Sequence, residues 1–147
     1  EYLALVAGVP AAQGRVEAPI GRHPVARTRM AVVARGKSAV TRFRVLRAGT
    51  AWSLVECHLE TGRTHQVRVH LSAIGHPLIG DPLYGPGFKS KLRKLPEPLR
   101  GKLATLGRPA LHAAHLAFVH PVSGTLLKFN SALPPELSEI VDDLKEL

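Results

Sequence analysis

A chain of 147 residues, of which 45% are hydrophobic, is long enough for one domain with a single core and too short to expect two. It has no apolar run approaching the roughly 20 residues that span a bilayer, no secretory signal, and only one cysteine, Cys57, which excludes an internal disulfide and a Cys-x-x-Cys redox or zinc motif. Its 20 Lys and Arg against 11 acidic residues give a net charge of +9, which predicts a polyanionic partner or, as the alternative, a basic surface that serves only solubility.

The N-terminal third of the sequence predicts three strands. Residues 2–8 form an apolar, strand-like run that ends at Gly8 and has no initiator Met, so we expect the sequence to begin within a fold, as a fragment. Residues 29–34 and 38–48 flank the Arg35-Gly36-Lys37 turn, which predicts a β-hairpin. In the second of these strands, apolar and basic residues alternate, and one face is partly basic. That face carries Val40, Arg42, Arg44 and Leu46.

The middle of the chain predicts a strand followed by a helix. In residues 52–59 the alternation places one set of side chains toward the core, and Cys57 belongs to it, so we expect a buried and unreactive thiol. From Thr64 to Ile74 the apolar spacing changes to that of a helix, and Gly75-His76-Pro77 predicts its end. The apolar stripe of this helix is Val67, Leu71 and Ile74.

The last third predicts a long insertion, a hairpin and a terminal helix. Residues 86–108 carry Gly, Pro and mixed charge, which predicts a long insertion that contains a little helix. Residues 110–119 and 125–132 predict a hairpin through Pro121-Val122-Ser123-Gly124, and Pro134-Pro135-Glu136 is a favourable helix start. Together, the predicted strands and helices indicate an α+β domain with a mainly antiparallel sheet. The apolar stripe of the terminal helix is Leu137, Ile140, Val141, Leu144 and Leu147.

An unusual charge pattern marks the start of the helix predicted at residues 64–74. Arg63, His65 and Arg68 lie around its first turns, where cations oppose the helix dipole by a few tenths to about 1 kcal/mol each. This pattern predicts a compensating anion, either a phosphate or a carboxylate. The spacing also places Arg68, His65 and Ser72 on one face, opposite the apolar stripe. The alternative is a surface helix with solvated charges.

Two neighbouring strings in this region are specific. Thr61-Gly62-Arg63-Thr64-His65-Gln66-Val67-Arg68 is followed by Gly75-His76-Pro77-Leu78-Ile79-Gly80-Asp81-Pro82-Leu83-Tyr84-Gly85. Together they resemble the arginine-containing motif, and the run after it, of the large-subunit ribosomal RNA pseudouridine synthases. The resemblance covers nearly the whole chain and is strongest to the D type. Further agreeing blocks are Arg22-His23-Pro24, Met30-Ala31-Val32, Gly36-Lys37-Ser38-Ala39-Val40-Thr41, Leu111-His112-Ala113 and His120-Pro121-Val122-Ser123-Gly124.

The resemblance implies a pseudouridine synthase fold and the isomerisation of selected uridines in 23S rRNA. The family flips the target base out of its stack, at a few kcal/mol, and uses no cofactor or metal. It also uses an aspartate in a His-Arg-Leu-Asp motif, which this sequence lacks. Asp81 is expected to be a turn residue, and Asp142 and Asp143 to lie on the polar face of the terminal helix. Residues 1–147 would then be the C-terminal portion of one catalytic domain, whose aspartate-bearing half lies upstream of residue 1, and the fragment alone should be inactive.

Two catalytic residues carry over by motif. Arg68 is expected to pair with the absent aspartate, and Tyr2 to pack on the target base. A guanidinium within about 4 to 6 Å of a buried carboxylate lowers its pKa by about 1 to 3 units, which suits a nucleophile. Its fork also orients the carboxylate, which lysine cannot do in the same way. A strand tyrosine that only packs on the core is the alternative for Tyr2.

The remaining basic residues predict RNA binding. Without its last twelve residues the chain has 19 basic against 6 acidic side chains, a net charge of +13. Residues 22–47 hold eight Lys and Arg and no acid, and residues 89–108 hold seven against one Glu. Few aromatic residues accompany them, which favours phosphate contact over base stacking. The candidate RNA-binding residues are Arg63, His65 and Gln66, near the flipped nucleotide, with Arg22 and Lys37.

The implied partner is large-subunit rRNA, with no membrane, and the full-length protein is expected to be cytoplasmic and monomeric. Eight histidines raise the possibility of a metal site, yet none shows a ligand pattern such as His-Glu-x-x-His, and we expect no metal. A non-catalytic RNA-binding module derived from the same fold would equally explain the charge and the missing nucleophile, and this alternative stays open.

Overall fold

The computed structural model describes residues 1–85, 90 and 92–145, and the fold is α+β, as predicted. Its strands are β1 (Tyr2–Ala7), β2 (Gln13–Glu17), β3 (Ile20–Arg22), β4 (Met30–Val32), β5 (Val40–Ala48), β6 (Trp52–Leu59), β7 (Leu111–Ala113), β8 (His115–Val119) and β9 (Leu126–Asn130). Its helices are α1 (Gln66–Ala73), α2 (Leu99–Leu106) and α3 (Pro135–Lys145).

A five-stranded antiparallel sheet forms the centre of the fold, in the order β2-β5-β6-β1-β7. The pairs β3–β4 and β8–β9 form two separate two-stranded sheets, which are also antiparallel. β6 has the bounds that its alternation predicts, and Val55 and Cys57 are fully buried. Burial raises the pKa of the Cys57 thiol to about 12, so the expectation of a buried, unreactive thiol is confirmed.

Both faces of the central sheet are covered. On one face, the apolar side chains of β1, β5 and β6 pack against Val67 and Leu71 of α1. On the other face, Trp52 of β6 packs with the apolar residues of α2 and α3. The sheet therefore lies between α1 on one side and the two later helices on the other. Side chains from α2 and α3 in the second cluster are Leu99, Leu103, Leu137, Ile140, Val141 and Leu144.

The predicted hairpin of residues 29–34 and 38–48 is wrong. β4 pairs with β3, and β5 pairs with β2 and β6. Ile20 of β3 pairs with Val32 on one side and Lys37 on the other, so β3 lies between the two segments, and Gly36 allows this close approach because a Cβ atom there would come within 2.5 Å of the Ile20 backbone. Ile20 and Lys37 exchange backbone hydrogen bonds at this crossing.

The C-terminal third agrees with the prediction in part. The hairpin exists as β8–β9, but residues 110–119 divide into two strands, because β7 leaves it to join β1 at the edge of the central sheet. α3 begins at Pro135, and Leu137, Ile140, Val141 and Leu144 are buried as expected. The predicted insertion contains α2, while its residues 86–89 and 91, and Leu147 of the terminal stripe, lie outside the described residues.

Over the described ranges, the helices are too short and too polar to cross a bilayer.

Candidate active site

The start of α1 is fixed by a buried glutamine. Gln66 is 2% exposed, and its Nε2 donates to the Val40 carbonyl at 2.9 Å and to Thr41 Oγ1 at 3.0 Å. Its Oε1 accepts from Thr61 Oγ1 at 2.7 Å and from the Arg63 amide at 3.0 Å. The side-chain amide of Gln66 is thus fully used in joining α1 to β5, and the candidate role of Gln66 in RNA binding stays a prediction.

A histidine extends this polar network into the core. His70 is 0% exposed, and its Nε2 donates to the Ala18 carbonyl at 2.8 Å while its Nδ1 accepts from Thr41 Oγ1 at 2.8 Å. Burial lowers the pKa of His70, so the ring is neutral and both of its nitrogens have partners. The apolar stripe predicted for α1 is confirmed at Val67 and Leu71 and is wrong at Ile74. Ile74 is 38% exposed, and the buried face of α1 comprises Gln66, Val67, Val69, His70 and Leu71.

The anion predicted near the start of α1 is the carboxylate of Asp81. Arg68 Nε donates to Asp81 Oδ2 at 2.8 Å and Arg68 Nη2 donates to Asp81 Oδ1 at 2.9 Å. The Arg68 side chain is 16% exposed and that of Asp81 is 0% exposed, so the interpretation of α1 as a helix with solvated charges is wrong. Such a two-point pair fixes the plane of the guanidinium as well as its distance.

Asp81 also holds the turn in which it lies, as the sequence predicts. Its Oδ1 accepts from the amides of Leu83 and Tyr84, at 2.9 and 3.0 Å. Burial alone would raise the pKa of Asp81, but the hydrogen bonds from Arg68 and from the two amides outweigh it and lower that pKa. The bond to Asp81 in turn raises the pKa of Arg68, so both members of the pair are charged.

Tyr84, at the end of the same turn, contacts the polar face of α1. The Arg68 Cζ atom lies 4.9 Å from the centre of the Tyr84 ring, and Ser72 Oγ donates to the Tyr84 carbonyl at 2.8 Å. The Tyr84 hydroxyl accepts from the Met30 amide at 2.8 Å, and we assign its own proton to the bond with His65 Nδ1 at 2.9 Å, the one acceptor that the described residues offer it. The prediction that His65, Arg68 and Ser72 share a face is confirmed, because all three contact Tyr84.

His65 is held in a backbone conformation that side chains rarely adopt. Its φ of 55° is left-handed, and it directly precedes α1. Burial and the charge of Arg68 lower the pKa of His65, which keeps the ring neutral. Because Nδ1 accepts from Tyr84, the ring proton lies on Nε2. His65 therefore offers one N–H donor at a fixed position.

One cavity brings the two predicted catalytic residues together. Its volume is about 370 Å³, and Tyr2 from β1 and Arg68 from α1 both line it. It contains three arginines, and no carboxylate lines it within the described parts of the chain. A cavity of this size is in the usual range for a small ligand. The described residues that line it are Tyr2, Leu59, Arg63, His65, Gln66, Val67, Arg68, Arg108, Pro109 and Leu111.

A second, basic cavity adjoins the first and shares Arg63 with it. It has a volume of about 420 Å³ and brings Arg22, Arg35 and Lys37 together with Arg63. Arg63 Nε donates to the Ser38 carbonyl at 2.8 Å, which fixes this side chain between the two cavities. Among the described lining residues none is acidic. The structure thus places the predicted RNA-binding residues Arg22, Lys37 and Arg63 around one electropositive recess.

Three of the seven basic residues in the second predicted basic region form ion pairs. Arg100 binds Glu97 at 2.9 Å, Lys102 binds Asp143 of α3 at 2.7 Å, and Arg108 binds Glu136. The basic face of β5 is neutralised in the same way, since Arg42 binds Glu60 and Arg44 binds Glu56. The second cavity, by contrast, is lined by four basic side chains, Arg22, Arg35, Lys37 and Arg63, for which the described residues provide no ion-pair partner.

One group of side chains has the spacing of a metal site. The ligand atoms of Glu1, Glu56 and His58 lie within 4.8 Å of one another. His58 Nε2 and Arg44 Nη2 both hydrogen-bond to Glu56 Oε1, at 2.9 and 3.1 Å. The hydrogen bond with His58, followed by that from Arg44, lowers the pKa of Glu56, and we interpret the group as an ion-pair network.

Sequence reasoning missed the roles of Asp81 and Tyr84 at this site. Both stood in the Gly-Asp-x-x-Tyr-Gly run, and Asp81 was correctly placed in a turn. The signal that could have identified the pair is the unbalanced cation near the start of α1. Asp81, in the turn that follows the helix, is the first acidic residue after Arg68 in the sequence.

Comparisons with known proteins agree with this geometry. A family model described as RNA pseudouridylate synthase matches residues 1–73. The chain is 50% identical over 147 residues to ribosomal large subunit pseudouridine synthase D of Nitrosomonas europaea, covering 99% of this chain and 41% of that protein. It is 49% identical over 138 residues to the protein of the same name from Zymomonas mobilis, covering 92% of this chain and 42% of that protein. The chain thus spans well under half of the length of these relatives.

Two solved human structures share the fold. Human RNA pseudouridylate synthase domain containing 4 superposes with a TM-score of 0.71 at 28% identity, over 98% of this chain and 61% of that one. Human RNA pseudouridylate synthase domain containing 1 gives 0.67 at 27% identity, over 99% and 65%. Sequence and fold lead to the same assignment, and the chain belongs to the RNA pseudouridylate synthase family.

Proposed function

We propose that the full-length protein carrying this chain is an RNA pseudouridine synthase that isomerises specific uridines of large-subunit (23S) rRNA. Residues 1–147 would supply the C-terminal portion of its catalytic domain, and an upstream segment would supply the aspartate. The observation that carries the proposal is the cavity shared by Tyr2 and Arg68, which three arginines and no described carboxylate line. Arg68 is paired with Asp81 and Arg108 with Glu136, and the Nη1–Nη2 edge of Arg68 is still available to a buried carboxylate from elsewhere in the protein.

Arg68 has the geometry to receive that carboxylate. Asp81 occupies its Nε and one N–H of Nη2, and within residues 1–85, 90 and 92–145 its Nη1 has no hydrogen-bond partner. The edge of the guanidinium formed by Nη1 and Nη2 can therefore bind a second carboxylate with two hydrogen bonds. This contact would keep the nucleophile ionised and aimed at the glycosidic carbon.

The other lining residues suit a flipped uridine. Tyr2 offers a ring on which uracil can stack, and His65 offers its Nε2–H as a donor to a base or sugar oxygen. The reaction breaks the bond from C1′ to N1 and forms one from C1′ to C5, while C5 loses a proton and N1 gains one. It is redox-neutral, so these residues and the aspartate account for its bond changes.

The second cavity is the proposed RNA backbone site. Arg22, Arg35, Lys37 and Arg63 line it without described acidic neighbours, and Arg63 also lines the first cavity. A target nucleotide in the first cavity would therefore leave an adjacent phosphate within reach of Arg63. Such contacts are sequence-independent and weaken with salt, because binding releases counterions from the RNA.

Replacing Lys37 by glutamine tests this surface. We expect the affinity of the full-length protein for 23S rRNA to fall about threefold to tenfold, and the salt slope to decrease by about one, because one phosphate contact is lost. The matched control is Arg100→Gln, since Arg100 belongs to the second basic region but is paired with Glu97. The RNA affinities of both variants and of wild type are measured from 50 to 300 mM KCl, roughly the range in which counterion release dominates, and their salt slopes are compared. Equal losses in both variants, or no salt dependence, would contradict the assignment.

One observation favours a non-catalytic alternative. Arg68 already has a carboxylate partner in Asp81, so the pair is balanced without a nucleophile, and the chain could belong to an RNA-binding module. The upstream sequence discriminates between the two, because an enzyme requires the His-Arg-Leu-Asp motif there and a binding module does not.

The direct test measures the bond change. The full-length protein is incubated with an unmodified 23S rRNA transcript that carries tritium at uridine C5, and tritium released to water is counted. We expect release over many turnovers with the full-length protein and none with residues 1–147 alone. If the full-length protein binds the transcript with a steep salt dependence but releases no tritium, the enzyme proposal fails and the binding-module alternative replaces it.

A further inference from the structure

The bond between Arg68 and Asp81 divides the guanidinium into two edges. Asp81 binds the Nε–Nη2 edge through both of its oxygens, at 2.8 and 2.9 Å. Arg68 lines the first cavity, while Asp81 is not among its lining residues. Asp81 thus binds the Nε–Nη2 edge of the guanidinium and leaves the Nη1–Nη2 edge available to a second carboxylate.

The carboxylate that holds Arg68 is itself held rigidly. The amides of Leu83 and Tyr84 both donate to Asp81 Oδ1, and the side chain has no exposed surface. Tyr84 adds a second constraint, because its ring lies against the Arg68 guanidinium while its backbone and hydroxyl are bound by Ser72, Met30 and His65. Arg68 is therefore fixed in both position and plane.

We propose that Asp81 is a positioning residue for the isomerisation, which holds the Nε–Nη2 edge of Arg68 so that the Nη1–Nη2 edge presents two N–H groups to the nucleophilic aspartate. The inference rests on the proposed function, and it assigns to Asp81 a task beyond closing a turn. A guanidinium attached only by its flexible chain would lose this orientation, and a small displacement of a nucleophile costs a large part of the rate.

The charge of Asp81 adds a consequence that a turn residue would not have. With Asp81 present, Arg68 is shared between two carboxylates and lowers the pKa of the nucleophile less than an unshared guanidinium would. The described groups with charge or a titratable proton near this pair are Arg68 itself, His65, Tyr84, Arg29 over the Tyr84 ring at 5.4 Å, and the cavity arginines Arg63 and Arg108. None of these groups is an anion, so Asp81 is the one carboxylate among the described groups at this position.

The experiment uses Asp81→Asn in the full-length protein, with kcat and KM for 23S rRNA measured across pH. We expect kcat to fall about 10- to 100-fold, as for other residues that orient a reactive side chain, with KM within about threefold of wild type. The acid limb of the rate profile should move to lower pH by about one unit, because a like charge near the nucleophile has been removed.

Three further variants separate positioning from folding. Asp81→Glu retains the charge but shifts the carboxylate, so kcat should fall while the acid limb stays in place. Pro82→Ala loosens the same turn at an exposed side chain without touching the carboxylate, and should retain wild-type kcat and pH profile. In an Arg68→Lys background, Asp81→Asn should lower kcat no further, because the fork it positions is already absent.

The outcomes distinguish this inference from the proposed function. If wild type forms pseudouridine and Asp81→Asn matches it in kcat and in its acid limb, Asp81 is a turn residue only and the inference fails while the function stands. If Pro82→Ala loses as much activity as Asp81→Asn, the effect belongs to the turn and the inference likewise fails. If wild type forms no pseudouridine, the proposed function fails and the inference falls with it.

Discussion

Replacing Arg68 by alanine in the full-length protein is expected to reduce pseudouridine formation by about 1000-fold or more, while affinity for 23S rRNA changes by less than about threefold. The loss follows because no other described residue of the first cavity can bind a carboxylate at two points and also reach Asp81. RNA affinity should persist because the phosphate-binding residues line the second cavity, from which Arg68 is absent.

The alanine variant has a complication that the structure itself reveals. Removing Arg68 leaves the buried Asp81 without its counter-charge, which costs about 3 to 5 kcal/mol in comparable buried pairs. Lost activity could then reflect unfolding rather than chemistry.

Arg68→Lys removes this ambiguity. Lysine keeps a cation opposite Asp81 but has no planar fork, so the protein should fold and still lose most of its activity. Tritium release from C5-labelled RNA and the thermal midpoint are measured on the same samples. A lysine variant with near-normal turnover would remove Arg68 from the mechanism, and one that fails to bind RNA would assign it to binding instead.

The parts of the fold that the sequence predicted are those with strict periods. β6 alternates apolar and polar side chains from Val55 to Leu59, and α3 repeats apolar residues at helical spacing after a proline start. The two strands that were missed lack such a pattern. In β2, Val16 is the one buried residue. At Gly14 a Cβ atom would come within 2.5 Å of the Phe43 ring, so a larger residue would not fit there.

The parts of the site that the sequence predicted came from a motif rather than from a period. Arg68 and Tyr2 lie 66 positions apart in the chain, and only the fold brings them to one cavity. Asp81 was visible as a turn residue, because Asp beside Gly and Pro is typical of turns. Its bond to Arg68 depends on how that turn packs against α1, and local sequence contains no information on this packing.

The two basic regions show why charge counts alone misplace a surface. Both are dense in Lys and Arg, and the sequence treats them as equivalent. Arg100, Lys102 and Arg108 are bound to carboxylates of residues 97–143, whereas Arg22, Arg35 and Lys37 line a recess without described acidic neighbours. Pairing in three dimensions therefore decides which cations remain available to RNA.

The second large effect is expected at Gln66, where sequence analysis and structure assign different roles. Replacing Gln66 by leucine should lower the free energy of unfolding by about 2 to 4 kcal/mol, because four hydrogen bonds at the start of α1 are lost and buried polar groups lose their partner. The measurement is chemical denaturation of the full-length protein, followed by hydrogen exchange of the α1 amides.

Thr64→Ala is the matched control, since Thr64 is exposed and lies two residues before Gln66 in the same segment. It should change stability by less than about 0.5 kcal/mol. At a temperature where the Gln66 variant is folded, its RNA affinity should equal that of wild type, because the glutamine amide is used entirely within the protein. A stable Gln66→Leu variant with weakened RNA binding would reverse this assignment and return Gln66 to the RNA interface. If Gln66 has only a structural role, the Gln66→Leu variant should show a lower free energy of unfolding in the absence of RNA.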